Sequence, residues 1–199
     1  MAVRTLLVIP VLALLLAGCS GDDDAGSAAA KPPAAGCPAA LKPEWQRLAN
    51  RVDAPIYCPS WMPSPLDADI GGQWNSDGPI VDRDRSYLVG FLWHEAGSGD
   101  VHVNFRGYPG KTAMPMCRDR KRSIPCFSDP QGTRRIGDKR VTVYTVSRDA
   151  DQWHVTYLWR RDGTLYTVSE HVAPPLTFRK VVANLDRLVG GLELIHPQV

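Results

Sequence analysis

An apolar run near the start of the chain constrains where the rest of it must fold. The run extends from Leu6 to Leu16, after the single cation Arg4, and the small residues Ala17 and Gly18 follow it. It is too short for a membrane-spanning helix, which needs about 20 apolar residues. A charged start, a short apolar core and a small-residue cleavage site are the three parts of a secretory signal. We therefore expect residues 1–18 to be a signal peptide and the remainder to fold in an oxidising compartment.

The residues at the expected cleavage site, Leu16-Ala17-Gly18-Cys19, closely resemble the lipobox of bacterial lipoproteins. In that family the cysteine, here Cys19, receives a diacylglyceryl thioether and becomes the mature N-terminus after cleavage behind Gly18. The resemblance implies a protein anchored in the cell membrane by acyl chains such as palmitate, on its extracytoplasmic face. Two or more acyl chains give stable anchoring, whereas one is marginal. A plain secretory signal is the alternative.

Residues 20–36 are mostly small, acidic and proline residues. Such a segment cannot bury enough apolar surface to offset the entropy cost of ordering, so residues 19–36 are expected to form a lipidated flexible tether. As a flexible coil it would reach about 20–25 Å. A single α+β domain is expected over residues 37–199. Without Arg4 the chain carries 22 Lys and Arg against 21 Asp and Glu, a balance that argues against a nucleic-acid partner.

Four cysteines remain when Cys19 is assigned to the lipid: Cys37, Cys58, Cys117 and Cys126. An even number is typical of disulfides in an exported domain, and three pairings are possible. We expect the sequential pairing, Cys37 with Cys58 and Cys117 with Cys126, because each pair brackets a compact proline-bearing segment. Each bridge would contribute about 3 kcal/mol by the chain-entropy model. Zinc is the rival interpretation, but no two of the four have the Cys-x-x-Cys spacing.

Helical periodicity appears at both ends of the domain. From Lys42 to Asp53, apolar residues recur on one face after a proline suited to the first turn. Thr177 can cap a second helix that runs to about Val189 and is ended by Gly190-Gly191. Between the helices, strand patterns dominate, and Asp162-Gly163 is the strongest hairpin signal. The order predicts an α+β fold: a curved antiparallel sheet of about six to seven strands with the N-terminal and C-terminal helices packed on one face.

The segment from Val155 to Ser169, followed by the capped helix, looks like the end of certain uncharacterised extracytoplasmic bacterial lipoprotein domains. Those domains place a Trp strand, a Gly turn and a Tyr strand before a final helix. The resemblance supports the fold and implies no activity.

Strands at Tyr87–Glu95 and Val101–Gly107 flank a loop at residues 96–100. Pairing across it would set Trp93 opposite Val103 and Phe91 opposite Phe105, and would make His94 and His102 direct neighbours. Two such imidazoles could share Zn²⁺ or Cu²⁺, with a third ligand from the set His154, Asp100 and Glu95. The alternative, two solvated polar residues, is the more common arrangement, and we predict no metal site.

An aromatic set gives the best indication of a ligand. Trp153, Tyr157 and Trp159 alternate on one strand, and the Asp162-Gly163 turn sets Tyr166 opposite Trp159. A concave sheet could line an apolar pocket with these rings. The alternative is that the rings are core beneath the C-terminal helix.

A basic run lies between Cys117 and Arg140, where eight cations face three acids. The cations are Arg118, Arg120, Lys121, Arg122, Arg134, Arg135, Lys139 and Arg140. With the second disulfide closed, the first four lie on one stapled loop. Such a loop could bind lipid headgroups or anionic polymers, and we take Arg118, Arg120 and Arg122 as candidate contacts. A loop kept soluble by its charge is the alternative.

Catalytic patterns are missing from the sequence: there is no G-x-S-x-G, H-E-x-x-H, Walker or G-x-G-x-x-G motif. We expect a non-enzymatic binding domain without a cofactor, for an amphiphilic or anionic envelope ligand such as a lipid, a glycan or an anionic polymer. The membrane is the expected partner through the lipid anchor. A structural or assembly lipoprotein that holds an envelope protein, through an exposed patch around Trp61 and Met62, is the alternative. An uncharacterised hydrolase comes third.

Overall fold

The computed structural model describes residues 36–64, 66, 78–95, 99–119, 121–146 and 153–198. The expected signal peptide, Cys19 and most of the tether lie outside these residues. The described elements, in chain order, are α1 (Lys42–Val52), β1 (Ile56–Pro59), β2 (Ile80–Val81), β3 (Tyr87–Glu95), β4 (Gly99–Tyr108), β5 (Met116–Asp119), β6 (Arg122–Pro125), β7 (Pro130–Ile136), β8 (Lys139–Val146), β9 (His154–Arg161), β10 (Thr164–His171), α2 (Phe178–Gly190) and β11 (Leu192–Ile195).

Seven of the strands form one open antiparallel sheet in the order β2-β3-β4-β10-β9-β8-β7. Two further pairs, β1 with β11 and β5 with β6, form separate two-stranded ladders. The α+β class predicted from the sequence is therefore confirmed. A short strand, β11, follows α2 and pairs with β1.

The turn at Asp162 and Gly163 fixes the pairing of β9 with β10. Both residues have positive φ, 48° and 74°, which matches the type I′ hairpin that an Asp-Gly pair favours. Trp159 lies opposite Tyr166, as predicted. The turn residues alone were sufficient to set this register.

The pairing of β3 with β4 differs from the expected register by two residues. Hydrogen-bonded pairing continues to Glu95 and Gly99, so only residues 96–98 separate the strands, where a loop over residues 96–100 was expected. The observed pairs are Phe91–Val103, Leu92–His102, Trp93–Val101 and His94–Asp100. His94 and His102 are therefore not direct neighbours. Because the shift is even, each residue keeps its predicted face of the sheet.

The first helix follows its sequence pattern closely. Trp45, Leu48, Ala49 and Val52 are its buried residues, and Asp53 ends it with a positive φ of 50°. The edge of the Trp45 ring contacts Phe105 of β4 at a centroid distance of 5.8 Å.

The second helix begins where Thr177 was expected to cap it. The Thr177 hydroxyl accepts a hydrogen bond of 3.3 Å from the Lys180 backbone N–H, which satisfies one of the free donors of the first turn. Asn184 is buried on this helix and donates to Glu170 of β10.

Three strands lie between β4 and β8. β5 and β6 form a short hairpin of their own, and β7 adds to the edge of the main sheet beside β8. Most of β7 is exposed, so it lacks the buried alternation on which strand recognition depends.

The sequential disulfide pairing is confirmed. Cys37 is bonded to Cys58 with a Cα–Cα distance of 5.5 Å, and Cys117 to Cys126 with a distance of 4.8 Å. The first bridge links the segment before α1 to β1, and the second joins β5 to the residue that follows β6.

Candidate functional site

The predicted aromatic set lies mainly in the core. Tyr157, Trp159 and Tyr166 are each at most 2% exposed. The Tyr57 ring contacts two of them edge-on, Trp159 at 5.3 Å and Tyr166 at 4.9 Å. These contacts correspond to the core alternative that the sequence left open. Trp159 also borders a small pocket of about 160 Å³ that Tyr57 shares.

The fourth aromatic residue, Trp153, is partly buried and directly precedes β9. Its ring stacks on Phe178, the first residue of α2, with a centroid distance of 5.6 Å. The contact closes this end of the sheet against the helix.

The Tyr157 hydroxyl reaches the edge of the core, where it meets two charged groups. It donates to Asp186 Oδ1 at 2.9 Å, and Arg134 donates to the same hydroxyl at 3.1 Å. Arg134 also donates to both oxygens of the Asp186 carboxylate, at 2.8 and 2.7 Å. Burial, and then the Asp186 carboxylate, raise the pKa of Tyr157 well above its ordinary value. This cluster joins β7, β9 and α2.

Two cations of the basic run contact nearby carboxylates within the described residues. Arg134 is paired with Asp186, and Lys139 contacts Asp138 at 3.0 Å. Arg122 is exposed on β6. The predicted contacts Arg120 and the side chain of Arg118 lie outside the described residues, so the structure places only the third member of this set.

A pocket of about 700 Å³ lies between the end of β4 and the β5–β6 hairpin. One part of its wall is polar and another is apolar. The residues that matter for its chemistry are Asp84, Ser86 and Lys111 on the polar part, and Met114, Pro115 and Met116 on the apolar part. Sequence reasoning did not find this pocket, because its walls come from segments that are distant in sequence and carry no shared motif.

The polar part of the pocket is organised around Asp84. Lys111 forms an ion pair with this carboxylate, and the Ser86 hydroxyl donates to it at 2.6 Å. These hydrogen bonds, from Lys111 first and Ser86 second, hold the pKa of Asp84 well below its usual range. Burial raises the pKa of the neighbouring Tyr108. The side chains of Lys111 and Asp84 are each 48% exposed, so the ion pair is open to solvent.

The β5–β6 hairpin exposes unusual apolar surface. Met116 is 56% exposed and Ile124 is 39% exposed, although both are large apolar side chains. Met116 borders the pocket, whereas Ile124 lies opposite Cys117 and is not among the residues that line it. Exposed apolar side chains at the mouth of a pocket are typical of a binding surface.

The histidines that the sequence singled out separate into two places. His94 pairs with Asp100 in β4, whereas His102 contacts His154 of β9. A third histidine, His171 of β10, joins that contact and was not predicted. The signal for it was present in the sequence, because the register set by Asp162-Gly163 places His154 opposite His171.

The expected apolar patch around Trp61 and Met62 is partly covered. Both residues are partly buried, and the Arg187 guanidinium lies 4.1 Å from the centroid of the Trp61 ring. Among the described residues, no helix is long and apolar enough to span a membrane.

No protein-family model, curated protein or solved structure matches the chain.

Proposed function

We propose that this chain is a membrane-anchored extracytoplasmic lipoprotein whose folded domain binds an anionic amphiphile without catalysing a reaction. The pocket beside the β5–β6 hairpin supports this function, because its wall has the two chemistries that an amphiphile needs. Met114, Pro115 and Met116 would contact the apolar part of the ligand. Lys111 and Ser86 would contact its headgroup, with Asp84 holding the lysine in place.

The charge of the hairpin favours a negative headgroup. Arg122 and Lys121 are exposed on the β5–β6 hairpin, whose Met116 end borders the pocket, and the sequence places two further arginines on the same stapled loop. Cations near a surface attract anionic lipid with about 1 kcal/mol each. A lipid headgroup at Lys111 would therefore lie within a positive local field.

We infer further that the sheet is curved and carries both helices on one face. Trp45 of α1 contacts Phe105, and Asn184 of α2 contacts Glu170. Phe105 lies opposite Val168, and Val168 and Glu170 are two residues apart on β10. Phe105 and Glu170 therefore lie on the same face of the sheet. Tyr108, which borders the pocket, is three residues from Phe105 on β4, so it lies on the opposite face of the sheet. The pocket therefore belongs to that face.

The lipid anchor is tested separately from the pocket. Cells grown with an alkyne analogue of palmitate should label the protein, and Cys19→Ser should remove the label. Cys58→Ser serves as a matched control, because Cys58 is buried in a disulfide and cannot accept lipid in the folded protein. Labelling that persists in Cys19→Ser would contradict the anchor.

The pocket is tested with residues 27–199, exported without the lipid, and a soluble short-chain phosphatidylglycerol as the probe. Native mass spectrometry should show one bound lipid, and dihexanoyl phosphatidylcholine should bind more weakly. Met116→Glu should weaken binding of the anionic lipid at least about tenfold, or about 1.4 kcal/mol. Ile124→Glu adds the same charge to the same hairpin away from the pocket, and its binding should stay within about twofold of the unmodified domain.

If Met116→Glu and Ile124→Glu weakened binding of the anionic lipid equally, this result would contradict a ligand in the pocket. It would indicate a general electrostatic effect of the added charge. A domain that binds neither lipid would favour the alternative of an envelope protein as partner.

A further inference from the structure

Three histidines meet on three adjacent strands of the main sheet. His154 of β9 pairs directly with His171 of β10, and the pairing of Glu170 with Val103 brings His102 of β4 to the other side of His171. Residues that pair directly in an antiparallel sheet point to the same face, so the three histidine residues form one row across the sheet. Their rings converge from this row into a triangle. The ring centroids are 4.7 Å apart for His102 and His154, and 4.9 Å from each of these to His171.

We propose that His102, His154 and His171 bind one divalent transition-metal ion of the Zn²⁺ or Cu²⁺ type. The Nε2 atoms of His102 and His154 are 2.6 Å apart. At this distance one nitrogen donates a proton and the other accepts it, so at least one of the two rings presents a lone pair. A neutral imidazole with a lone pair is the form that binds transition metals.

The three histidines are close to a metal-binding geometry without already having it. No group of three or more His, Cys, Asp or Glu side chains in the described part of the chain is arranged to hold a metal ion. Two nitrogens that bind one tetrahedral zinc ion at about 2.0–2.1 Å lie about 3.3 Å apart. The facing nitrogens of His102 and His154 must therefore separate by less than about 1 Å, which rotation about the broad χ2 torsion of histidine supplies.

The surroundings of the row hold the three rings in place and leave one of them accessible. His102 is 7% exposed and His171 is 5% exposed, whereas His154 is only partly buried and leaves the row accessible to an ion. Leu92 lies opposite His102, and Val146 lies opposite His154, so apolar residues flank both sides of the row. Backbone pairing on three strands also limits how far the ligands can move apart.

The test uses the full chain, purified from membranes in a mild detergent and freed of metal with a chelator that is then removed. Titration with Zn²⁺ should show one ion per chain with a Kd below about 0.1 mM. With Cu²⁺, electron paramagnetic resonance should show hyperfine coupling to several nitrogen ligands. Binding weaker than about 0.1 mM for both ions would overturn the proposal.

Single histidine substitutions test which side chains bind the ion. His154→Gln changes the most accessible histidine of the row and should weaken Zn²⁺ binding at least about tenfold. His196→Gln is the matched control, because His196 is exposed and belongs to the chain segment after β11. Binding that His196→Gln abolishes, or that His154→Gln leaves unchanged, would contradict the site.

A measurement on the unmodified protein tests the site even if the variants fold poorly. Zn²⁺ should shift the ¹⁵N resonances of three histidine side chains in slow or intermediate exchange. Selective shifts of the resonances of His94 or His196, assigned from single His→Gln variants, would overturn the proposal.

Discussion

Asn184 of α2 donates a hydrogen bond of 2.7 Å to the Oε1 atom of Glu170 on β10, inside the core. Glu170 is 0% exposed, and its Oε2 atom has no hydrogen-bond partner among the described residues. Burial raises the pKa of Glu170 to about 7, while Asn184, and to a smaller extent Lys180, oppose this rise. A carboxyl group therefore titrates near neutral pH at the contact between a helix and the sheet.

Glu170 makes the stability of the domain depend on pH. Its folded pKa of about 7 exceeds the ordinary value of 4.5, so folding favours the protonated form. The stability that this group supplies is fully present below about pH 4.5 and is lost as the pH rises through 7. Glu170→Gln keeps the acceptor for Asn184 and cannot ionise. Relative to the unmodified domain it should raise the free energy of unfolding by about 2–3 kcal/mol at pH 8 and by little at pH 4.5.

Urea unfolding of both proteins at the two pH values measures this difference. Asn184→Ala provides a comparison, because it removes the hydrogen bond and retains the titrating carboxyl. A stability difference between Glu170→Gln and the unmodified domain that does not change between the two pH values would contradict the titration.

The Tyr157–Asp186 hydrogen bond should stabilise the fold more than the neighbouring ion pair does. The Tyr157 side chain is buried, and its hydroxyl donates its shortest hydrogen bond to Asp186, at 2.9 Å. The side chains of Arg134 and Asp186 are 41% and 40% exposed, and solvent weakens ion pairs of that kind. We expect coupling energies of about 1 kcal/mol for Tyr157 with Asp186 and about 0.5 kcal/mol or less for Arg134 with Asp186.

Two double-mutant cycles measure these couplings: Tyr157→Phe with Asp186→Ala, and Arg134→Ala with Asp186→Ala. A larger coupling in the arginine cycle would show that charge, rather than the buried hydroxyl, holds α2 against the sheet at this edge.

Local signals account for the parts of the fold that the sequence predicted correctly. Thr177 caps α2, and a proline occupies the first turn of α1. Each acts on the backbone of the helix that begins beside it, so it marks a helix boundary locally. The Asp162-Gly163 pair requires positive φ at both residues, so it fixes one turn type and one register. The loop at residues 96–100 carries no such constraint, and its length was overestimated by two residues.

Contacts between distant segments account for what the sequence did not show. The pocket joins Asp84 with Lys111 and with the β5–β6 hairpin, and no periodicity links those segments. His171 is different, because the Asp162-Gly163 register already implied its pairing with His154. What the register could not supply was the position of β4 on the far side of β10, which brings His102 into the row.

The two disulfides should differ in their effect on global stability. Cys37 and Cys58 are 21 residues apart and link the start of the domain to β1, which packs with α1 and β11. Cys37→Ala with Cys58→Ala should lower the free energy of unfolding by about 3 kcal/mol. Cys117 and Cys126 are 9 residues apart and close a hairpin outside the main sheet. Their replacement by alanine should cost about 1 kcal/mol or less, because that hairpin can open while the sheet stays folded.

Urea unfolding followed by far-ultraviolet circular dichroism compares the two double variants. Limited proteolysis provides the local readout, since cleavage near residue 120 should increase only when the second bridge is removed. If replacing Cys117 and Cys126 lowered the free energy of unfolding by more than about 2 kcal/mol, the hairpin would unfold together with the sheet.

The basic hairpin should bind anionic membranes through its charge. Arg118→Glu, Arg120→Glu and Arg122→Glu together reverse three charges on the stapled loop and should reduce sedimentation of residues 27–199 with phosphatidylglycerol vesicles at least about fivefold. The control reverses three exposed arginines elsewhere, Arg51, Arg83 and Arg179, for the same change in net charge. Both proteins should sediment equally little with phosphatidylcholine vesicles or at about 0.5 M salt, where the Debye length falls to about 4 Å. If the control variant lost as much binding as the hairpin variant, net charge rather than the hairpin would determine membrane binding.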